Sequence, residues 1–502
     1  MFRFEAFEKT HFLEFLWQGL LDEYMEELFK RWEFFSPKIQ FELIFYVRER
    51  LKESLNPKVL AQALKINISD AKKVIANKGK SFEIFLVENR EDETKVLVKT
   101  CKALVIPETS KIITNLSHIR NHLLTLKKLL GKGFAVFFEE FFIGKSFMLS
   151  LSVALEIEKI PEDLKFTGGL NTKGDILEVD YIREKLEYAK EHNLRLITPF
   201  QVRHFSTIKA YLEKYDWDIP FYITNAGKEE FLTFLKAYQG EKTIAEFDIL
   251  KGLELFYGLS EETFYIITGQ LTSKKDWEKV CENFYKKLYQ IKNRLPGIKT
   301  FHLGIRGAVA LGFALGVVFS HFDPFVFYHY QTIGGVTKYY PIIVDEPRFL
   351  KGRAKEYKYL KPKFEKQGED LVVVLNFSHH EPTADVKKYV ASFLKDSSFL
   401  ILETELKGNL PIKIFHEVAK ESASFIQNIR EEYSFNNYHF FFSCPVAIAF
   451  MVGLAFGHYV DGWIYNYQKE EGMYQPVLDF KFLRKIRESD VRKLEERGIY
   501  IK

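Results

Sequence analysis

The stretch HLGIRGAVALGFALGVVFSHFDPFVFYHYQ, residues 302–331, returns 137 residues later as HFFFSCPVAIAFMVGLAFGHYVDGWIYNYQ, residues 439–468. Ten of the thirty positions are identical: His302/His439, Val309/Val446, Ala310/Ala447, Phe313/Phe450, Gly316/Gly453, Phe319/Phe456, His321/His458, Tyr328/Tyr465, Tyr330/Tyr467 and Gln331/Gln468. Typical residue frequencies would give about two. The likeness continues, two residues out of step, in Tyr339-Tyr340-Pro341 and Tyr474-Gln475-Pro476. Each copy reads as a strand, a tight loop, an apolar helix and a second strand. Upstream of each lies a further strand, loop and helix: Phe264–Thr268 with Asp276–Ile291, and Leu371–Phe377 with Ala384–Leu394. Strands alternating with helices predict α/β layers, here two Rossmann-like halves related by pseudo-symmetry.

Further towards the amino end the pattern changes. Residues 1 to about 80 carry apolar positions at helical spacing, from Phe12 to Phe29 and from Ile39 to Val47, and Pro37 and Pro57 mark helix starts. Leu60–Val74 reads as a small helix–turn–helix, a packing corner rather than a DNA reader, with Lys72-Lys73 and Lys78–Lys80 as its basic cluster. From Ser81 the chain alternates: Phe82–Val87, a polar turn at Asn89–Glu93, then Lys95–Val105, which predicts a hairpin. A helix (Ile119–Leu130) and a strand (Phe134–Phe138) lead to Gly144-Lys145-Ser146-Phe147, which opens another helix. Thr167-Gly168-Gly169 and Arg183-Glu184-Lys185 follow. A serine hydroxyl is a poor nucleophile at its ordinary pKa, and a lysine stripped of water can lose its charge and take that proton. Backbone N–H groups at the helix start can hold the oxyanion of an acyl transfer.

The segment from Gly144 to Pro199 resembles the proteolytic domain of Lon. Lon's nucleophile motif is Gly-Pro-Ser-Ala-Gly, and here Gly144-Lys145-Ser146 stands in its place. Lon's Thr-Gly-Glu, hairpin and Lys-Glu-Lys are matched by Thr167-Gly168-Gly169, Leu170–Leu177 and Arg183-Glu184-Lys185, and its Val-Leu-Ile-Pro strand by Leu194–Pro199. The resemblance implies that Ser146 is the nucleophile, Lys185 the general base and Thr167 the hydroxyl that orients the lysine. Ser150 and Ser152, deeper in the same helix, are the alternative nucleophiles. Lys145 replaces proline, Ile143 an acid, and Asp180-Tyr181-Ile182 replaces Gly-Gly-Leu. The Lon-like stretch reaches about Tyr238, closing with strand Pro220–Thr224 and helix Glu229–Tyr238. Neither Gly79–Ser81 nor Gly144–Ser146 has the glycine a phosphate loop needs five residues earlier; Val74 and Glu139 stand there.

The duplicated half is similar to the SAVED domain, a fused pair of CARF-like halves that senses cyclic oligonucleotides in antiviral signalling. Together the two resemblances place the chain beside the CRISPR-associated Lon–SAVED proteases. The expected architecture is an α/β and α+β multidomain chain. It has a helical head (1–80), a Lon-type protease domain (81–242) and a SAVED domain (243–502, with halves of about 243–350 and 367–502). The implied activity is that of a Ser–Lys endoprotease of type III CRISPR signalling, switched on by a cyclic oligoadenylate. It would cleave a specific partner encoded nearby after ligand-induced self-association. The alternative is an inactive scaffold that senses the ligand and oligomerises.

Ligands of open α/β folds sit beyond the carboxyl ends of the strands. Here those loops are Thr268–Lys274, Gly304–Ala308, Asn376–Thr383 and Ser443–Val446, offering Gln270, Ser273, Lys274, Arg306, Ser378 and His379. Lys274 and Arg306 suit phosphates, and the polar side chains suit adenine edges or ribose hydroxyls. Cyclic tetra-adenylate is the expected activator, mainly on the family resemblance. Lys351–Lys366, with seven basic residues among sixteen, reads as a solvated linker between the halves. His379-His380-Glu381 lacks a second ligand group at metal spacing, so no metal is expected. His302, His439, His321 and His458 read as core histidines.

Bulk properties bound the rest. Five hundred and two residues suggest about three domains, and a hydrophobic share of 47% is ample for packed cores. A net charge of +4 gives no strong pull on nucleic acid. Three separated cysteines (Cys101, Cys281, Cys444) fit no disulfide or metal framework. The start, Met1-Phe2-Arg3-Phe4-Glu5, lacks a signal-peptide shape, and the apolar runs Ala308–Phe319 and Val446–Phe456 are too short to span a bilayer. These features predict a soluble, cytoplasmic protein that binds neither membrane nor DNA.

Overall fold

The structure, a computed structural model, describes residues 9–88, 96–238, 243–244, 246–319, 323–333 and 336–495. The chain divides into two compact units: 1–214 with 244–247 and 255–258, and 215–243 with 248–254 and 259–502. Among the described residues no helix is long and apolar enough to cross a membrane.

The first unit begins with five helices, α1 (Lys9–Trp17), α2 (Met25–Lys30), α3 (Pro37–Arg50), α4 (Pro57–Leu64) and α5 (Ile68–Ala76). Asn56 and Asn67 cap α4 and α5 through their side chains, and Lys65 in a left-handed conformation makes the corner between them. The expected hairpin is present as β1 (Lys80–Glu88) and β2 (Leu97–Thr109), antiparallel, with Ile84 opposite Cys101. With β3 (Ile113–Thr114) and β4 (Gly133–Phe138) it forms a four-stranded sheet in the order β1-β2-β4-β3, and α6 (Arg120–Leu130) links the last two. The head is not a separate body. Its apolar faces share one core with Leu104, Ile106, Ile113, Ala135 and Phe137 of the sheet, so the divide expected at residue 80 runs through a continuous hydrophobic cluster. Next come α7 (Phe147–Glu156), β5 (Leu164–Phe166), β6 (Gly169–Leu170), β7 (Ile176–Leu177), α8 (Ile182–Glu191), β8 (Arg195–Ile197) and α9 (Phe205–Leu212). Helix α7, apolar but for Ser150, Ser152 and the terminal Glu156, is buried from Phe147 to Leu155.

The second unit holds two sheets. In chain order its elements are β9 (Asp216–Thr224) and α10 (Lys228–Ala237), then β10 (Thr243–Ile244), β11 (Phe247–Asp248) and α11 (Ile249–Tyr257) at the divide, then β12 (Tyr265–Ile267), α12 (Lys274–Arg294), β13 (Ile298–Arg306), α13 (Val309–Val318), β14 (Phe325–Ile333) and β15 (Val336–Val344). The first sheet runs β12-β9-β13-β14-β15, parallel except for the β14–β15 hairpin. The strand and helix expected to close the protease-like domain therefore belong here. Strand β9 is an interior strand of that sheet, between β12 and β13, and pairs with β13 from Asp216 opposite Ile298 to Thr224 opposite Arg306. A near-continuous apolar run reads alike in either sheet, and only its partners decide.

The second sheet is built from β16 (Leu360–Glu365), β17 (Leu371–Asn376), α14 (Thr383–Phe393), β18 (Ser398–Thr404), α15 (Phe415–Glu432), β19 (Tyr438–Ser443), α16 (Val446–Phe456), β20 (Gly462–Gln468), β21 (Met473–Asp479) and α17 (Phe480–Glu495), with strand order β16-β18-β17-β19-β20-β21. Strand β16 lies inside the expected linker Lys351–Lys366, pairs antiparallel with β18, and carries its basic residues on an edge. Just before it, the buried Glu421 carboxylate accepts the backbone N–H groups of Lys358, Tyr359 and Leu360. That segment is part of the fold and not a free linker.

The duplication is physical. A Cβ on Gly316 of α13 would run into the Phe450 carbonyl of α16, and one on Gly453 of α16 into the Phe313 carbonyl of α13. The two contacts exchange under the 137-residue offset, which is what a two-fold relation requires. Each half also keeps an Asp–His–Tyr network: His302 joins Tyr328 (3.1 Å) and Asp218 (3.1 Å), and His439 joins Tyr465 (2.9 Å) and Asp370 (3.5 Å). Both histidines are buried as expected, whereas His458 is half-buried in a bend against Tyr459, and His321 lies outside the described residues.

Candidate functional site

Two sites follow from these elements, one in each unit. In the first, Ser146 sits immediately before α7 with helical backbone angles, half-buried, after Gly144 at φ +102°. Thr167–Gly169 runs along the mouth of that helix. The Gly168 N–H donates to the Ser146 carbonyl (3.0 Å), and the Leu149 N–H donates to the Gly168 carbonyl (3.1 Å). A Cβ on Gly169 would meet the Lys145 side chain, so the residue in proline's place lies over this strand. The Met148 N–H donates to the Lys145 carbonyl (3.1 Å). Ser150 is engaged, and Ser152 is closed off from solvent with its hydroxyl unpaired. Ser150 donates to the Phe166 carbonyl (2.7 Å), and Ser152 is wholly buried inside α7.

Lys185 projects from the inner face of α8 with Ile182 and Ala189, only 3% exposed. Burial drives its pKa down to about 8, against the opposing pull of Asp180 and Glu184. Thr167 is 1% exposed, and its N–H donates to the Ile197 carbonyl of β8 (2.9 Å). No hydrogen bond links the Ser146, Thr167 and Lys185 side chains in this structure. Tyr181 caps α8 at φ +58°, a left-handed angle that costs an L-residue about 1 kcal/mol. Phe141 (63% exposed) and Ile143 (82%), a few residues before Ser146 in the chain, present apolar side chains to solvent.

In the second unit the expected ligand residues lie on loops at strand ends, but most are already engaged. Ser273 caps α12, its hydroxyl and N–H both directed at Asp276 (2.9 and 2.8 Å), so it serves the helix. Lys274 pairs with Asp479 (2.7 Å) and stands over the Trp463 ring. Arg306 pairs with Glu230 and stacks on Tyr330, and that carboxylate holds its pKa above the ordinary arginine value. Gln270 is exposed. Ser378 donates its N–H to the Ser443 carbonyl (2.8 Å), and the His379 ring lies against Gly408. The cations chosen for phosphate contact are thus matched by carboxylates, and the sequence-level choice did not foresee Glu230, Glu381 or Lys407. Glu381 is held by Asn376, Thr383 and Lys407, so it is not poised as a metal ligand with its neighbouring histidines. Its signal was positional: an acid at the start of the helix that follows an interior strand in each half, β9 and β17.

No curated protein matches the chain. Among solved structures it is similar to the Cap4 SAVED/CARF-domain containing receptor of Acinetobacter baumannii with the cyclic trinucleotide 3'3'3'-cAAA. There the identity is 16%, the match covers 42% of this chain and 44% of that one, and the TM-score is 0.33. The same receptor with 2'3'3'-cAAA matches at 15% identity over 52% and 50%, TM-score 0.34. The Moraxella osloensis Cap4 receptor matches at 15% over 52% and 50%, TM-score 0.30. The chain spans about half the length of these structures or less. Residues 350–480 match the family model of SAVED, the SMODS-associated and fused to various effectors sensor domain, and the chain therefore contains a SAVED sensor domain in its second unit.

Proposed function

We propose that this chain is a serine endoprotease gated by a cyclic oligoadenylate, with Ser146 as nucleophile and Lys185 as general base. The observation that carries the protease reading is Lys185: an amine buried to 3% exposure, with its pKa brought to about 8, in the same unit as a serine at a helix start. At pH 7 about a tenth of such lysines are neutral and able to accept a proton. Ser146 Oγ attacks the scissile carbonyl carbon while its proton passes to Lys185 Nζ. The carbonyl oxygen becomes an oxyanion, held by backbone N–H groups at the start of α7. Collapse expels the amine, which takes the proton from Lys185, and water then hydrolyses the acyl-serine with Lys185 again as base. A Ser146–Lys185 hydrogen bond forms as substrate fills the site. Thr167 orients the lysine, and Phe141 and Ile143 contact the substrate beside the scissile bond.

The SAVED domain supplies the gate. A type III CRISPR messenger, cyclic tetra-adenylate, binds it and favours a self-associated state in which a partner protein encoded nearby is cut. The shift requires tighter binding to the assembled state than to the free chain. The test is a gel assay of wild type and Ser146→Ala with neighbouring gene products, with and without cyclic tetra-adenylate. Cleavage only by wild type with ligand supports the reading. Ligand-induced assembly with no cleavage would support a sensor scaffold instead.

A further inference from the structure

One carboxylate in the SAVED domain, Glu381, gathers donors from several elements. Glu381 accepts two hydrogen bonds from Asn376 Nδ2 (3.0 and 3.1 Å), one from the Thr383 N–H (3.1 Å), one from the Thr383 hydroxyl, and an ion pair from Lys407. These donors come from three places: the carboxyl end of β17, the first turn of α14 and the turn after β18. Backbone and hydroxyl donors at a helix start, with an ammonium alongside, are the groups that hold phosphate oxygens. The carboxylate is half-exposed, so solvent and solutes reach it.

A second observation lies beneath it. Asn376 is 0% exposed and its Oδ1 has no hydrogen-bond partner, although its Nδ2 reaches Glu381. Reversing the amide would set its oxygen against the carboxylate. A buried acceptor left unpaired costs roughly 1–3 kcal/mol and is retained where something else fills it. A nucleotide offers what is missing, an anion for the donors and a hydroxyl or amine hydrogen for Oδ1.

The geometry points to a phosphate subsite built from Asn376, Thr383 and Lys407, which Glu381 occupies from within the chain until a phosphodiester of the cyclic nucleotide displaces it. The proposal rests on the sensor reading above and adds regulation to it: an internal carboxylate competes with the messenger, so weak or wrong anions are excluded. Glu381→Gln keeps the shape and removes the competing charge.

The test uses the full chain, with inorganic phosphate and cyclic tetra-adenylate as separate probes in calorimetric titrations. Glu381→Gln should bind inorganic phosphate at least tenfold more tightly than wild type, and bind the cyclic nucleotide more tightly as well. Thr383→Ala, which keeps Glu381 but removes a donor, should weaken cyclic-nucleotide binding several-fold, and it decides the matter should the first variant fail to fold. Equal phosphate affinity in wild type and Glu381→Gln, or an unchanged nucleotide affinity in Thr383→Ala, overturns the subsite. Phosphate binding gained with no nucleotide binding by any variant would leave the subsite standing and sink the sensor reading. Nucleotide binding by wild type with no effect of either substitution would do the reverse.

Discussion

At the scale of single residues, the burial of Lys185 sets stability against the reactivity proposed for it. Its depression from 10.5 to about 8 corresponds to ~3 kcal/mol favouring the neutral form in the folded chain. The sign follows directly. Below pH 8 the lysine is charged in both states and the folded one bears the full cost, and between pH 8 and 10.5 stability rises as the unfolded state holds more protons. Lys185→Met should therefore raise stability at pH 7 by about 1–3 kcal/mol in urea unfolding while abolishing cleavage. Wild-type cleavage should increase with pH through about 8. A destabilised Met variant would mark the lysine as a structural ligand. The same scale shows what a linear reading misses. Arg306 and Lys274 were sound choices as phosphate-binding types, yet Glu230 and Asp479, which pair with them, lie 76 and 205 residues away in sequence. Ser146 was legible because a helix start and a motif are local, whereas the burial that tunes Lys185 is a property of the packed unit.

Elements were read most securely where periodicity and local chemistry agree. The hairpin β1–β2, helices α6 and α7 and the duplicated strand–helix–strand units stand where the sequence pattern placed them. Strand β16 was not foreseen, because a basic edge strand with one apolar face looks like a solvated linker until its partner β18 is known. The α13–α16 crossing yields the sharpest prediction at this scale. Gly316 and Gly453 let the two helix backbones touch, so a methyl group at either has no space to enter. Gly316→Ala and Gly453→Ala should each destabilise the second unit by about 1–3 kcal/mol, read as a lower melting temperature, and by similar amounts because the contacts are reciprocal. Markedly unequal losses would argue that the two halves no longer behave as equivalents.

On the scale of the whole molecule, acid stability should fall in a way set by buried histidines. Burial pushes His329 down to about 4 and lowers His439 as well, with Asp370 partly opposing the latter shift. The folded chain resists protonation that the unfolded chain accepts, so stability is lost as pH falls from about 6.5 towards 4. A melting series from pH 7 to 4 should show a decline of several degrees, reduced in His329→Leu; an unchanged slope in that variant would assign the acid sensitivity elsewhere. The primary sequence by itself determined the internal duplication, the parallel α/β character of both halves and the serine at its helix start. Those features are written in local periodicity and in repeats that survive as identities. Tertiary structure alone decided that β9 joins the second unit's first sheet between β12 and β13, that the head shares a core with the first unit's sheet, and which carboxylates hold Arg306, Lys274 and the Asn376 cradle. Strand pairing, desolvation and ion pairing depend on residues far apart in the chain, and their energies exist only once folding has brought those residues together.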